Sequence, residues 1–168
     1  PLPRGNRVGF LAPSGAMLVV LSDLCQRWGL DVPEVEEKTR MRLQEISPDY
    51  IRMRNPVDIW PSVFDHDVEF SYREAIDALM KDANIDAVVP VLMLAENIGI
   101  PPLDFLVELA KKYPEKPLYV TFSADRKNLE AAKAFLEPKG VPTFPLIEQP
   151  FEVLSILNQC RQAMQKAR

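Results

Sequence analysis

The apolar positions of this chain fall into short continuous runs, separated by longer stretches in which they recur every three to four residues. Continuous apolar runs bounded by turn residues predict buried strands, and the 3.6-residue recurrence predicts helices with one buried face. On that reading residues 7–12 form a strand and residues 16–28 a helix closed by Gly29, with Leu30 placed for the hydrophobic contact of a Schellman end. Residues 32–35 read as a weak strand and residues 36–46 as a helix on which Thr39, Leu43 and Ile46 share a face. Ser47-Pro48 stops that helix, and an irregular stretch containing Asn55-Pro56-Val57-Asp58 comes next. The helix after it, over residues 68–81, carries an apolar stripe of Phe70, Ala75, Ile76, Leu79 and Met80. Residues 85–93 are almost wholly apolar, as expected of a strand covered on both faces, and residues 102–113 are the helix that succeeds it. Residues 118–122 with 126–136, then 142–144 with 151–166, repeat the strand-helix unit twice more.

Repeated alternation of this kind predicts an α/β fold: a flavodoxin-like, doubly wound, five-stranded parallel sheet of order 2-1-3-4-5, in three layers, α/β/α. Ligands of such sheets sit beyond the carboxyl ends of the strands, where the strand order reverses. The two loops at that point are the Pro13-Ser14-Gly15 corner and residues 94–101, which include Glu96 and Asn97. Two helices are predicted between strands 2 and 3, so the segment joining them has to travel in the strand direction. Asn55-Pro56-Val57-Asp58 lies in that rising segment. Pro56 biases Asn55 to an extended conformation and fixes its own φ, which suits a crossing over the sheet. Residues 59–67 are then expected at the carboxyl edge, beside Ser14.

Composition narrows the chemistry. With 168 residues, 47% of them apolar, the chain can bury one sizeable core. Residues 1–6, rich in Pro and Gly, read as a linker, and residues 7–168 as a single domain cut from a larger multidomain protein. The formal net charge of -4 and the scatter of Lys and Arg give no footprint for nucleic acid. No apolar run reaches the ~20 residues that span a bilayer, so no membrane partner is expected. Cys25 and Cys160 lie far apart in helical patterns, which predicts two buried free thiols and a cytoplasmic protein.

The corner has two readings of its own. Ala12-Pro13-Ser14-Gly15-Ala16 departs from the G-x-S-x-G spacing of a nucleophile elbow, and the sole histidine, His66, sits in an acidic, solvated loop, so no catalytic residue is assigned. No phosphate-binding glycine loop and no metal-ligand spacing occurs in the sequence. What remains is backbone: the free N–H groups of Gly15, Ala16 and Met17, at the positive end of a helix, can receive a phosphate or carboxylate, with Ser14 as cap or hydroxyl donor. On the plainer reading Ser14 only caps the helix and Gly15 only permits close packing. The start of this helix, residues 16–21, is apolar on every side, which predicts burial all round.

Taken in order, the small-residue Ser14-Gly15 corner, the Trp28-Gly29-Leu30 helix end, E-x-T-x-x-x-L at residues 37–43, N-P-V-D at 55–58 and K-D-x-N-x-D-A-V at 81–88 resemble the NDP-forming acyl-CoA synthetases, relatives of the succinyl-CoA synthetases. The likeness covers nearly the whole chain and fits the third, flavodoxin-like CoA-ligase domain. It implies a parent that converts acyl-CoA, phosphate and NDP into acid, CoA and NTP through an acyl phosphate and a phosphohistidine. It further implies that CoA, ADP/ATP and Mg are held by partner domains (a CoA-binding domain, a phosphohistidine domain and an ATP-grasp domain) and that no cofactor binds this one. By the same resemblance Ser14, Gly15, Ala16 and Met17 form the helix turn that faces the phosphohistidine. Asn55, Pro56 and Asp58 are structural residues near it, with Asp58 as an acceptor. The chain departs from the family's double glycine in having Ala16 at the second place. Some homologues are fused to a protein acetyltransferase and have lost the ligase chemistry, so a regulatory or assembly role is the alternative. A stand-alone receiver lacks support because no acidic cluster surrounds a candidate phospho-acceptor aspartate.

Overall fold

The computed structural model describes residues 1–95 and 101–167. Its five strands, β1 (Val8–Ala12), β2 (Val57–Asp58), β3 (Ala87–Leu94), β4 (Val120–Ala124) and β5 (Thr143–Phe144), form one parallel sheet in the order β2-β1-β3-β4-β5. Helices α1 (Gly15–Arg27) and α7 (Gln149–Lys166) cover one face. The other face carries α2 (Glu37–Glu45), α4 (Val68–Lys81), α5 (Asp104–Lys112) and α6 (Arg126–Leu136), and the six-residue α3 (Trp60–Asp65) sits beside α4. The flavodoxin-like order is therefore as expected.

The central strand shows why a continuous apolar run is needed. Successive side chains of a strand point to opposite faces. Val88 and Leu92 accordingly join the core under α4 and α5, while Ala87, Val89 and Val91 join the core under α1 and α7. Pro90 interrupts the ladder on one side only. Val88 exchanges hydrogen bonds with residues 117 and 119, so the next residue facing β4 is Pro90, which has no N–H to give. Pairing with β4 resumes at Val91–Thr121, whereas pairing with β1 runs unbroken from Val8–Ala87 to Leu11–Pro90.

Helix ends obey the local chemistry closely. Asp67 and Asp125 cap α4 and α6 by accepting from the N–H groups of Phe70 and Asn128 at 2.7 and 2.9 Å. At the end of α1, Gly29 has φ +67°, and the N–H groups of Leu30 and Gly29 bond to the carbonyls of Cys25 and Gln26. That is the Schellman arrangement, with Leu30 and Cys25 both buried.

Four expectations are corrected. Residues 32–35 form no strand, and only an isolated bridge joins Arg7 to Asp31. The second strand is instead Val57–Asp58, so the N-P-V-D segment rises as expected but joins the sheet edge rather than crossing over it. Phe70 is 41% exposed and leaves the buried stripe of α4, and Cys160 is exposed while Cys25 is buried.

Because β2 has two residues, it cannot pair with the whole outer edge of β1. The remaining groups are met one after another: the N–H of Val8 donates to the Asp31 carbonyl at 2.8 Å, the Asn55 amide donates to Val8 O at 3.0 Å, and the Phe10 N–H donates to Asn55 Oδ1 at 3.2 Å. The same Asn55 amide donates to Pro33 O at 3.0 Å, and the Asn55–Pro56 peptide is cis. Asn55→Ala leaves a buried N–H and two carbonyls without these partners and is expected to lower the unfolding free energy by about 3 kcal/mol in urea denaturation. A loss below about 1 kcal/mol would show that the edge re-pairs without Asn55.

On the opposite side Asp77 is a second buried hub. Burial pushes its carboxyl up, but hydrogen bonds from Lys112, Lys81 and Tyr113, at 2.7, 2.6 and 2.7 Å, outweigh burial and hold it at about 2, against an ordinary 3.8. A depressed folded-state value means stability that is fully present above about pH 4 and lost as the pH falls towards 2. Asp77→Asn should therefore be less stable than the parent at pH 5, with the difference shrinking by pH 2. Urea midpoints at both pH values test this, and a pH-independent gap would refute it.

Candidate functional site at the carboxyl end of the sheet

Strand β1 ends at Ala12 and α1 begins at Gly15, so Pro13 and Ser14 make the whole turn. Ser14 takes the N-cap position with extended backbone (φ −162°, ψ 126°), yet its hydroxyl makes no capping hydrogen bond. The first bond within the helix runs from Leu18 N to Ser14 O, at 3.1 Å. The amides of Gly15, Ala16 and Met17 are therefore left without helical acceptors and without a cap from Ser14. Gly15 and Ala16 are exposed, and the first turn carries no acidic residue.

The acidic group comes from the neighbouring strand. The register pairs Ala12 with Asp58, which brings Asp58 level with the start of the corner. Its Oδ1 accepts from the Trp60 N–H at 3.2 Å, and a Cβ placed on Gly15 would stand 3.6 Å from its Oδ2. Strand β2 thus sets a carboxylate beside the positive end of α1, a favourable placement for a helix terminus. Apart from its chain neighbours and its own helix backbone, nothing else lies within 4 Å of that Cβ position, so packing does not require a glycine there.

The residues named from the sequence divide accordingly. Ser14, Gly15, Ala16, Met17 and Asp58 come together at the corner. Asn55 and Pro56 lie further back along the edge, where Asn55 is occupied with β1. Glu96 and Asn97 lie outside the described residues. His66 is exposed at the end of α3, its ring 4.8 Å from that of Phe70. Among the described residues no group of three or more His, Cys, Asp or Glu is placed to hold a metal ion.

One side of α1 differs from expectation. Its inner residues, Leu18, Leu21 and Cys25, pack on the sheet, and burial pushes the Cys25 thiol up to about 12. Val19 and Val20, however, are 63% and 53% exposed. A sheet covers only one side of a helix, so the apolar outer side of α1 stays uncovered in this chain. Helix α3 is likewise unexpected, since periodicity predicts no element over residues 60–65. Pro61 in its first turn is the signal for it, and its rings of Trp60 and Phe64 pack edge to face at 5.3 Å with Phe64 exposed.

The sheet order and the corner at its switch point define a flavodoxin-like α/β domain. No protein-family model matches the chain. It is 31% identical over 156 residues to the ADP-forming acetate-CoA ligase II of Archaeoglobus fulgidus, covering 92% of this chain and 23% of that protein. It is 30% identical over 157 residues to the alpha subunit of the ADP-forming acetate-CoA ligase II of Pyrococcus furiosus, covering 91% of this chain and 33% of the subunit. A crystal structure from Pyrococcus horikoshii matches it with a TM-score of 0.82 and 28% identity, over 95% of this chain and 36% of that one. The chain matches one domain of the ADP-forming acetyl-CoA synthetases and spans about a quarter to a third of the length of these curated relatives. Among the described residues no helix is long and apolar enough to cross a membrane.

With only an ordinary van der Waals contact to Asp58 Oδ2 awaiting a Cβ at Gly15, Gly15→Ala is expected to leave stability unchanged or to raise it by up to about 1 kcal/mol, the helix preference for alanine over glycine. Thermal unfolding measures this. A clear loss of stability would mean that the corner needs the glycine for folding.

Proposed function

We propose that this chain works as a domain of an NDP-forming acyl-CoA synthetase, and that its α1 corner receives a phosphohistidine presented by another domain of the parent. The observation that carries the proposal is the set of amides at Gly15, Ala16 and Met17 left uncapped by Ser14, the first two on exposed residues and the third on a half-buried one, at a glycine that packing does not demand. Those N–H groups and the helix dipole favour a negative group at the turn by about 0.3–1 kcal/mol at an exposed site.

That energy is small, and Asp58 opposes a free anion on the same turn. A phosphoryl group carried on a neighbouring domain meets the corner at high effective concentration, so a weak site suffices for it where it would not for free phosphate. Ala16 stands where the resembling family has a second glycine, and its Cβ limits how closely the backbone can approach the group. CoA, ADP/ATP and Mg are then held by the CoA-binding and ATP-grasp domains of the parent, and the acyl chemistry takes place there. This domain contributes the helix terminus and a packing surface. The regulatory alternative gains no support from the geometry.

In the full-length parent, Gly15→Leu should reduce histidine phosphorylation at least about tenfold, equivalent to roughly 1.4 kcal/mol, without lowering the unfolding temperature of the domain. The isolated 168-residue chain should form no thioester from acid, CoA and ATP. An undiminished phosphohistidine signal would reduce the corner to an ordinary turn.

A further inference from the structure

The opposite end of the sheet holds a cavity of about 650 Å³ that the proposed function does not use. It opens at the amino ends of β1, β3 and β4, between the segment before β1, the loop from α4 to β3 and the loop after α5. Strand β1 separates it from the Ser14 corner by roughly 20 Å, at ~3.3 Å per residue. Its volume is in the ordinary range for small-ligand sites, about 300–1,000 Å³.

Five lysines and arginines and three carboxylates line it, in a chain whose formal net charge is -4. Most of these charges are already engaged. Arg7 is clamped on Asp86 through Nε and Nη2 at 2.9 and 2.8 Å, and a side chain on Gly5 would collide with that carboxylate. Lys81 and Lys112 share Asp77. The Asp82 carboxylate is taken up by the backbone N–H groups of Glu36 and Asn84, both at 2.8 Å.

What is left for a ligand is Arg4 and Lys116, against the exposed Glu115. Arg4 has no hydrogen bond or ion pair among the described residues. The Lys116 ammonium donates to Asp82 O at 2.7 Å and more weakly to Leu79 O at 3.5 Å, which leaves a third N–H to spare. Burial pulls its pKa down, Asp82 and Asp86 push it back, and the charges of Arg4 and Arg7 pull it down again, so the cations lie close enough to feel one another. An anion relieves such repulsion. Beside them the ring of Tyr113, held by its hydroxyl on Asp77, and Pro114 give an apolar wall.

We propose that this cavity binds a small organic anion, a phosphate or carboxylate joined to an apolar or aromatic body, with Arg4 and Lys116 taking the anionic group and Tyr113 and Pro114 the body. The site lies away from the corner, so ligand binding and phosphohistidine docking fail or succeed separately.

ADP is a suitable probe, titrated into the 168-residue chain by calorimetry and followed by amide chemical shifts. Saturable one-to-one binding is expected, with shifts at Asn6, Ala83 and Glu115 and none at Gly15 or Met17. Arg4→Ser should weaken it about tenfold, the loss of one charge-assisted hydrogen bond. Arg4 has no structural partner to lose, so this variant should fold. Lys116→Met should weaken it similarly, with folding checked by circular dichroism because Lys116 also serves a carbonyl of the α4–β3 loop. Absence of saturable binding, binding unaffected by Arg4→Ser, shifts confined to the Gly15 turn, or equal affinity for inorganic phosphate would each overturn the proposal.

Discussion

A five-residue strand whose outer neighbour has only two residues must satisfy its edge by other means, and in this domain the side chain of Asn55 does so. Its amide presents one donor group and one acceptor in the spacing that a strand backbone would offer, to Val8 O and Phe10 N. The contact is buried, with Asn55 8% exposed, so the cost of leaving those groups unmet would be high. It also sets the register of the residues after it. With Asn55 bound to β1, Val57 and Asp58 pair with Leu11 and Ala12, and the Ile59 N–H continues to Ala12 O at 3.1 Å. Asp58 then has one place to be, beside Gly15. The geometry of the corner is in this sense a consequence of an edge-pairing problem three residues earlier.

The elements most legible in the sequence are those whose ends are set by local chemistry. Helices over 68–81 and 126–136 have their expected bounds because an aspartate caps each start, and the end of α1 is marked by Gly29 and Leu30. The sheet order rests on strand-helix alternation, which one misplaced short strand does not disturb. Strand 2 is hard to place because periodicity cannot register a two-residue strand, whereas residues 32–35 offer two valines in an extended-looking setting. The rising direction of N-P-V-D is nevertheless legible, since it depends on connectivity rather than on propensity. Phe70 shows the limit from the other side: spacing puts it on the stripe, but a residue in the first turn of α4 lies past the edge of the core and instead packs on His66.

The candidate site is legible only in part for a related reason. Which residues make the corner can be read directly, because a strand, a proline turn and a helix succeed one another at once. That Ser14 leaves its cap unmade cannot, because hydroxyl orientation depends on what surrounds the turn. Nor can the uncovered outer side of α1. Apolar residues all round a helix signify burial, but the sequence does not say by what. Val19 and Val20 are exposed, and the chain spans a quarter to a third of the length of its curated relatives; under the proposed function another domain of the parent would cover that face.

The two ends of the sheet place opposite demands on the same residue type. At Gly15 a Cβ fits; at Gly5 a Cβ would collide with the Asp86 carboxylate, and the bare backbone serves the Arg7–Asp86 clamp. That clamp ties the approach to β1 to the start of β3, and by consuming Arg7 it leaves nearby Arg4 unpaired among the described residues. The net charge of -4 thus hides an internal division. Carboxylate stands beside helix-end amides at the carboxyl edge, while cations with donors to spare gather at the amino edge. Arg7, Lys81 and Lys112 are balanced there by Asp86 and Asp77, whereas Arg4 and Lys116 feel one another without a carboxylate ion-pair partner among the described residues, so the amino edge is the place where a bound external anion would add stability rather than merely find room.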